Sequence, residues 1–151
     1  MTSAETPAVT AEKPPEPPKP TITIKSITGD DVLTVEGESI QTASFYKCEL
    51  PKADFKAQCV ENVTFYNSNL EGSCFENANC ERANFQVCNL QNANLKGANL
   101  NLANLIDADL RGANLSDSNF EFARAWGAKY NSTTQLPKGF KLEGSRLIYK
   151  D

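Results

Sequence analysis

Histidine is absent from this sequence, and other residues on which function commonly depends are scarce or poorly placed. The chain therefore lacks the most common general base and an imidazole metal ligand. Its five cysteines, at positions 48, 59, 74, 80 and 88, include no C-x-x-C pair, so their spacing does not indicate a zinc site. There is also no glycine-rich phosphate loop. The sequence predicts a protein that is not an enzyme and needs no metal or cofactor.

Long apolar runs and a strong excess of one charge are lacking too. No run approaches the length of a membrane span, and the first residues carry neither the positive cluster nor the apolar core of a secretory signal. We therefore expect no membrane association and a cytoplasmic location, with the cysteines as free thiols. Lys and Arg total 15 against 19 Asp and Glu, a net charge of -4, so direct nucleic-acid binding is not expected.

Two short segments precede the main pattern. Residues 1–20 hold six of the eight prolines, which predicts a disordered or polyproline-like tail. We interpret this tail as a spacer, and the alternative is a proline-rich ligand for a recognition domain. In residues 21–37, apolar and polar residues alternate on both sides of a turn signal, Thr28-Gly29-Asp30-Asp31. This segment is predicted to be an N-terminal cap or hairpin.

A period of five residues runs through 38–130 without a slip. Of the nineteen residues at multiples of five from Ile40 to Tyr130, fourteen are Leu or Phe. The residue two places earlier is Ala, Ser, Cys or Val in seventeen of the nineteen repeats, and the residue one place earlier is Asn or Asp in eleven. This period fits neither a helix nor a flat strand. It requires a chain that turns a corner in every repeat, with large and small residues pointing inward together.

The run Ala93-Asn94-Leu95-Lys96-Gly97-Ala98-Asn99-Leu100 resembles the A-[DN]-[LF]-x-x motif of the pentapeptide-repeat family. The resemblance implies an all-β fold, a right-handed quadrilateral β-helix with four repeats in each coil and about five coils. Residues twenty apart would then stack in columns. The predicted core includes the columns Leu50, Leu70, Leu90, Leu110 and Phe45, Phe65, Phe85. Residues 131–151 leave the period and are predicted to form a C-terminal cap.

Outward positions supply a candidate partner surface, because apolar side chains recur there. It consists of Tyr46, Tyr66, Ile106, Trp126, Leu102 and Phe122. A sizeable exposed apolar patch usually marks an interaction surface. The preferred interpretation is nevertheless that the C-terminal segment folds over Leu102, Ile106, Phe122 and Trp126, and the alternative is a partner or self-association surface.

A second outward column contains Glu61, Glu81 and Glu121 and is a candidate acidic surface. Some members of the family are thought to mimic duplex DNA and bind gyrase. A mimic needs rows of negative charge undiluted by cations, whereas this repeat region contains eleven acidic and eight basic residues. We therefore interpret the column as a solvated face.

The positions of the cysteines and asparagines in the repeat predict structural roles for them. Cys48, Cys80 and Cys88 fall at inward positions, whereas Cys59 and Cys74 should be exposed, and a bridge between these two is conceivable but not predicted. Stacked amides can hydrogen-bond along the axis. Two such ladders are expected: Asn69, Asn89, Asp109 and Asn79, Asn99, Asn119.

Two classes of function follow. The first is a non-catalytic scaffold or protein-binding module whose partner is unknown, which includes a component of a larger assembly. The second is a DNA-mimicking regulator of a DNA enzyme such as gyrase. The resemblance also implies a possible homodimer through one end of the rod, which would use Tyr130 and Phe140.

Overall fold

The computed structural model describes residues 19–143 and 146–150. Its regular elements are strand β1 (Thr21–Lys25), strand β2 (Asp31–Glu36), a 3₁₀ turn (Ile40–Thr42), strand β3 (Phe140–Glu143) and strand β4 (Arg146–Tyr149). The described residues include no helix long and apolar enough to cross a membrane. Most of the predicted proline-rich tail, residues 1–18, lies outside the described residues.

Between the two hairpins the chain winds into stacked coils. Fourteen parallel bridges join successive coils, and thirteen of them connect residues twenty apart, from Glu49–Asn69 to Asp109–Lys129. Twenty residues are four five-residue repeats. Backbone N–H and C=O groups pair with the coil above and the coil below, as in Phe65 N–H to Asn84 C=O at 2.8 Å. The solenoid is therefore held together by a hydrogen-bond ladder that runs along its axis.

Each repeat ends in a tight turn. The Ala93 N–H donates to the Leu90 carbonyl at 3.1 Å, and this contact recurs every five residues from Ala43 to Ala128 except at Cys48, whose N–H donates to Ser68 Oγ. The second turn residue has a φ between +53° and +74° in every repeat from Lys47 to Gly127. That backbone conformation favours Gly and Asn, which is why many of these positions are Gly, Asn or Asp. Arg82, Val87, Leu102 and Phe122 adopt the same conformation against their intrinsic preference.

The core consists of ladders of large side chains. The predicted core residues Leu50, Leu70, Leu90, Leu110, Phe45, Phe65 and Phe85 are all fully buried. Phe65 and Phe85 stack with ring centroids 5.2 Å apart, and rings on adjoining faces meet edge to face, as Phe65 and Phe75 do at 5.7 Å. Small residues such as Ala93 and Ala103 are buried beside them. Every fully buried Leu or Phe contributes about 1.5–3 kcal/mol before its ordering entropy is subtracted.

The Asn and Asp residues before each core residue have a structural role. Each of the eleven accepts a hydrogen bond from the backbone N–H two residues later, as Asn104 Oδ1 does from Ile106 at 3.3 Å. This contact closes the turn from the side chain. Amide ladders add to it: Asn99 donates to Asn79 at 3.0 Å, and Asn119 to Asn99 at 3.2 Å. In the other predicted ladder, Asn89 donates to Asn69 at 3.1 Å, whereas Asp109 binds Arg111 through two hydrogen bonds.

The two ends depart from the predicted register. Ile40, expected to be the first core residue, is half-buried and begins the 3₁₀ turn, so the regular coil pairing starts at Phe45. At the other end, Gln135 pairs with Asn114, a separation of 21 residues. A repeat with one extra residue therefore follows Tyr130, and Thr134 lies in its small buried position. The pairing extends past residue 130 because one inserted residue fits within the preceding turn.

Both hairpins are antiparallel. Strands β1 and β2 pair from Thr21–Glu36 to Lys25–Asp31, and Ile24 is buried. The backbone following β1 bonds to the first coil, through Ile27 N–H to Lys52 C=O at 2.9 Å. Strands β3 and β4 pair from Phe140–Tyr149 to Glu143–Arg146, and the Phe140 ring contacts that of Phe120 in the last coil at 5.6 Å.

Candidate interaction surfaces

The candidate partner surface divides into two parts. Tyr46 and Tyr66 stack almost parallel, with centroids 5.6 Å apart, and the Lys47 ammonium lies 5.1 Å from the Tyr46 ring. Gln86 interrupts the column in the next coil, where its side chain accepts a hydrogen bond from Asn104. Tyr66 and Ile106, expected to be exposed, are half-buried, because coils stacked this closely shield their neighbours.

The second part lies at the C-terminal end of the solenoid. Leu102, Phe122 and Trp126 are 41%, 70% and 78% exposed. Phe122 and Trp126 are the corner residues on either side of the stretch Ala123-Arg124-Ala125, so their side chains flank one strip of the surface. The expectation that the C-terminal segment covers this patch is wrong for Phe122 and Trp126. Its hairpin packs against Phe120 instead and leaves both corner side chains in solvent.

Two adjoining cavities open between the last coil and the β3–β4 hairpin. The larger, of about 760 Å³, is lined by residues that include Phe122, Trp126, Tyr130 and Leu147. The smaller, of about 460 Å³, is lined by residues that include Glu121, Lys138 and Tyr149. Phe120, Phe122 and Phe140 line both. The sequence did not predict these cavities, since they depend on where the hairpin docks.

The larger cavity has a cause in the sequence. Ala125 occupies the column in which Phe45, Phe65, Phe85 and Leu105 precede it, and it is half-buried in the cavity lining. A small residue thus stands where the previous coils have a large one. Nearby, the Tyr130 hydroxyl is buried with no hydrogen-bond partner among the described residues. Burial raises the pKa of Tyr130 to about 12.

The acidic column is partly neutralised. Glu61 and Glu81 are half-buried and Glu121 is exposed. The Arg82 guanidinium lies 3.7 Å from the carboxylate of Glu61 and 2.8 Å from that of Glu81. The third level of the column is Asn101, whose side-chain oxygen is buried without a partner in the described part of the chain. Two of the three carboxylates therefore share one cation.

All five cysteines lie in the described part of the chain as free thiols. Cys80 and Cys88 are buried, and burial raises the pKa of both, to about 12 for Cys88. Cys59 is exposed, and a hydrogen bond from the Glu61 backbone lowers its pKa. Cys74, expected to be exposed, is half-buried because it lies in the middle of the stack. Cys48, expected to face inward, is also half-buried, and burial raises its pKa.

No metal-binding cluster occurs within residues 19–143 and 146–150: nowhere there do three Cys, Asp or Glu side chains come close enough to hold an ion. The chemistry presented by these surfaces is aromatic and apolar, with flanking charges at Glu121, Arg124 and Lys129. Such surfaces bind other macromolecules by burying apolar area.

Comparison with known proteins gives a consistent result. The family model described as pentapeptide repeats (8 copies) matches residues 64–101 and 83–121. A pentapeptide repeat protein from Nostoc PCC 7120 is 34% identical, with a TM-score of 0.51, and the match covers 59% of this chain and 78% of that one. No curated protein matches the chain significantly in sequence.

Two further solved structures are similar. A pentapeptide repeat protein of the Arabidopsis thaliana thylakoid lumen is 24% identical with a TM-score of 0.59, and the match covers 67% of this chain and 66% of that one. HetL, a pentapeptide repeat protein involved in heterocyst differentiation regulation in the cyanobacterium Nostoc sp. strain PCC 7120, is 25% identical with a TM-score of 0.53. That match covers 64% of this chain and only 50% of HetL.

Proposed function

The chain belongs to the pentapeptide-repeat family, and from this premise we propose that it is a non-catalytic, protein-binding scaffold module. The rod offers a rigid support, and the exposed apolar residues at its C-terminal end offer the binding surface. The observation that carries the proposal is the exposure of Phe122 and Trp126, at 70% and 78%, beside a cavity lined by further aromatic rings. Leaving such side chains in water stabilises nothing in the isolated chain.

We also propose the finer architecture on which this function depends. It is a right-handed quadrilateral β-helix of about five coils, predicted over 38–130 and extended by its pairing to Gln135, capped by residues 21–37 and by the rest of 131–151, and preceded by the tail, 1–20. The bridges between residues twenty apart support four repeats in each coil. The bonds from the β1–β2 hairpin to Lys52 and Asp54 support the N-terminal cap. A cap is needed because an uncovered end would expose the core.

Backbone strain supports the choice of surface. Leu102 and Phe122 have φ values of +59° and +55°, a conformation that costs a bulky residue roughly 1–2 kcal/mol. Asn62 occupies the same column at φ +60° with little such cost. Backbone strain at exposed apolar positions is typical of residues retained for function.

Comparative affinity capture tests the proposal. The full chain is immobilised, and proteins are captured from extracts of the cells that produce it and quantified by mass spectrometry. We expect specific partners whose capture falls at least about tenfold in the Phe122→Ser/Trp126→Ser variant. Ile27→Ser is the matched control, because Ile27 is also exposed (54%) but lies at the other end of the rod. Equal capture by all three proteins would refute the proposed surface.

The acidic column gives less support to DNA mimicry. Arg82 neutralises part of the row that a mimic would need, and charge rows diluted by cations bind DNA-recognising enzymes weakly. A gyrase supercoiling assay with titrated protein separates the two functions. We expect no inhibition. Inhibition that disappears when Glu61, Glu81 and Glu121 are replaced by Lys would establish mimicry in place of the proposed module.

A further inference from the structure

The C-terminal aromatic surface, which we define as Phe120, Phe122, Trp126, Phe140 and Tyr149, borders two grooves side by side, the larger mostly apolar and the smaller lined by both aromatic and polar side chains. The Phe140 ring contacts Phe120 at 5.6 Å and Tyr149 at 5.3 Å, edge to face in both cases. The rings of Phe120, Phe122 and Phe140 line both cavities and therefore separate them. Adjacent grooves lined by aromatic rings are the type of surface that binds polyproline II helices.

The chain itself contains a matching ligand sequence. Residues 13–20 read Lys-Pro-Pro-Glu-Pro-Pro-Lys-Pro. A polyproline II helix has three residues per turn, so Pro14 and Pro17 would lie on one edge and Pro15 and Pro18 on the next. Lys13, Glu16 and Lys19 would share the third edge. The segment thus has two adjacent proline edges for two adjacent grooves and one charged edge that faces the groove rims.

We propose that the C-terminal aromatic surface of one copy binds residues 13–18 of a second copy. This inference rests on the proposed function, because it names the partner of the same surface. The grooves carry charges of both signs, as the ligand does: Arg111 and Lys129 line the larger cavity and would face Glu16, whereas Glu121 lines the smaller beside Lys138 and would face Lys13. Proline-rich ligands also lose little entropy when they bind, since their conformation is already restricted.

Distance requires the partner to be a second copy. The Pro20 carbonyl accepts a hydrogen bond from the Gly37 N–H at 2.9 Å, which anchors Pro20 beside the N-terminal hairpin, before the first coil. Trp126 lies four coils beyond Tyr46, or about 19 Å at the usual spacing between strands. At about 3.1 Å per residue, Pro18 reaches only about 6 Å from Pro20. Pro14, at about 19 Å, would only just attain the level of Trp126, so the segment 13–18 as a whole cannot lie in the grooves of its own chain.

The contact joins the N-terminal end of one copy to the C-terminal end of the next. Such a heterologous contact leaves a free segment and a free surface at the two ends of every pair. It therefore extends into chains of copies or closes into a ring, whereas contact between two C-terminal ends would stop at a dimer.

Trp126 is the only tryptophan in the sequence, so its fluorescence reports directly on the surface. We expect the full chain to associate as its concentration rises from about 1 µM to 1 mM, with a parallel shift in Trp126 emission. Replacing Pro14, Pro15, Pro17 and Pro18 by Ala should weaken association at least about tenfold. Pro7→Ala is the matched control and should associate like the parent. Sedimentation velocity measures the association, and circular dichroism verifies the fold.

A peptide supplies the complementary test. A synthetic peptide of residues 11–20 is added to the four-alanine variant, whose own segment cannot compete. We expect a saturable shift in Trp126 emission, which a peptide of the same composition without the three-residue spacing does not cause. Equal shifts from the two peptides, or none from either, would overturn the inference.

The remaining outcomes are also decisive. Association that survives the four alanine substitutions would indicate contact between C-terminal ends and overturn the inference. A Trp126 emission that differs between parent and variant but not with concentration would indicate binding within one chain, with the same consequence. If self-association is absent while capture of other proteins still requires Phe122 and Trp126, this inference fails and the proposed function stands.

Discussion

The middle coils and the C-terminal end of the solenoid have the same backbone but different side chains. In the middle, Leu90, Leu95 and Leu100 are fully buried and follow Asn residues that close each turn. In the last coil the corresponding residues include Ala125, which leaves a cavity, and Arg124 and Lys129 replace the Asn and Asp of the ladder. Bridges still join Asn104 to Arg124 and Asp109 to Lys129.

The difference indicates that backbone pairing forms with a wide range of side chains. The shape of the C-terminal end, in contrast, depends on which side chains are present there. Bridges form wherever the chain keeps its five-residue turns, even where the Asn ladder has ended. A groove arises only where the core residue shrinks and the next element docks beside it. The middle is therefore expected to determine stability and the end to determine binding. Four predictions test that division.

The largest effect is expected from a cavity in the middle. Leu90→Ala removes a fully buried side chain from the column of Leu70 and Leu110 and should lower the free energy of unfolding by about 3–5 kcal/mol. The matched change at the end, Phe122→Ala, removes a side chain that is 70% exposed and should cost less than about 1 kcal/mol. Urea denaturation followed by circular dichroism measures both. Similar losses would contradict the division between middle and end.

A smaller effect should reveal how tightly the middle coils stack. A Cβ at Gly97 would lie 2.3 Å from Asn77 Oδ1, whereas one at Gly72 would meet only the Lys52 side chain, at 3.5 Å. Both glycines have nearly the same φ, +67° and +65°. Gly72→Ala should cost about 1 kcal/mol from backbone conformation alone. Gly97→Ala should cost about 0.5–1.5 kcal/mol more, because Asn77 must leave its rotamer.

Adding Asn77→Gly to Gly97→Ala provides the control for that comparison, because glycine removes the side chain and tolerates the φ of +57° at this position. If the collision with Asn77 causes the extra loss, the double variant should recover it. An unchanged loss in the double variant would mean that the backbone conformation accounts for the whole effect. Thermal denaturation of the four proteins gives the comparison.

Alkaline pH should reveal the contribution of the buried Tyr130 hydroxyl at the C-terminal end. Burial raises the pKa of Tyr130 to about 12, above its value of about 10 in an unfolded chain. A group whose pKa is raised on folding stabilises the fold below the unfolded pKa, and this contribution is lost as pH rises through the folded pKa. The parent should therefore lose about 1–2 kcal/mol between pH 10 and pH 12 that Tyr130→Phe does not lose. Parallel pH profiles for the two proteins would contradict this prediction.

Most of the solenoid could be predicted from the sequence because its signal repeats. Leu70, Leu90 and Leu110 recur at the interval that brings them onto one axis, and the Asn residues before them recur with the same period. One readable signal was missed: Gly72, Gly97, Gly112 and Gly127 all lie two residues after a core residue, which indicates a left-handed turn at that position. Against that signal, Val87, Leu102 and Phe122 stand out as exceptions.

The ends could not be predicted in the same way, because no period extends through them. The extra residue before Gln135 shifts the pairing from twenty residues to 21, and a fixed register cannot anticipate such an insertion. The docking of Phe140 on Phe120 and not on Trp126 depends on tertiary contacts between individual side chains, which a sequence period does not encode. The period placed Phe122 and Trp126 at outward positions, but the sequence did not predict that the hairpin leaves them uncovered, nor the cavities, nor the position of Phe140.

The smallest effect should come from relieving strain at the end. Leu102→Asn places a residue that tolerates positive φ where Leu is held at +59°, and it should raise the free energy of unfolding by about 0.5–1 kcal/mol. The reciprocal change, Asn62→Leu, lies in the same column at φ +60° and should lower it by a similar amount. Urea denaturation of both variants measures the pair. Stability gained at Leu102 together with weaker capture of partners would mean that this residue is kept for binding at a cost to the fold. Stability lost at Leu102 would mean instead that its side chain packs, and the strained corner would then belong to the core.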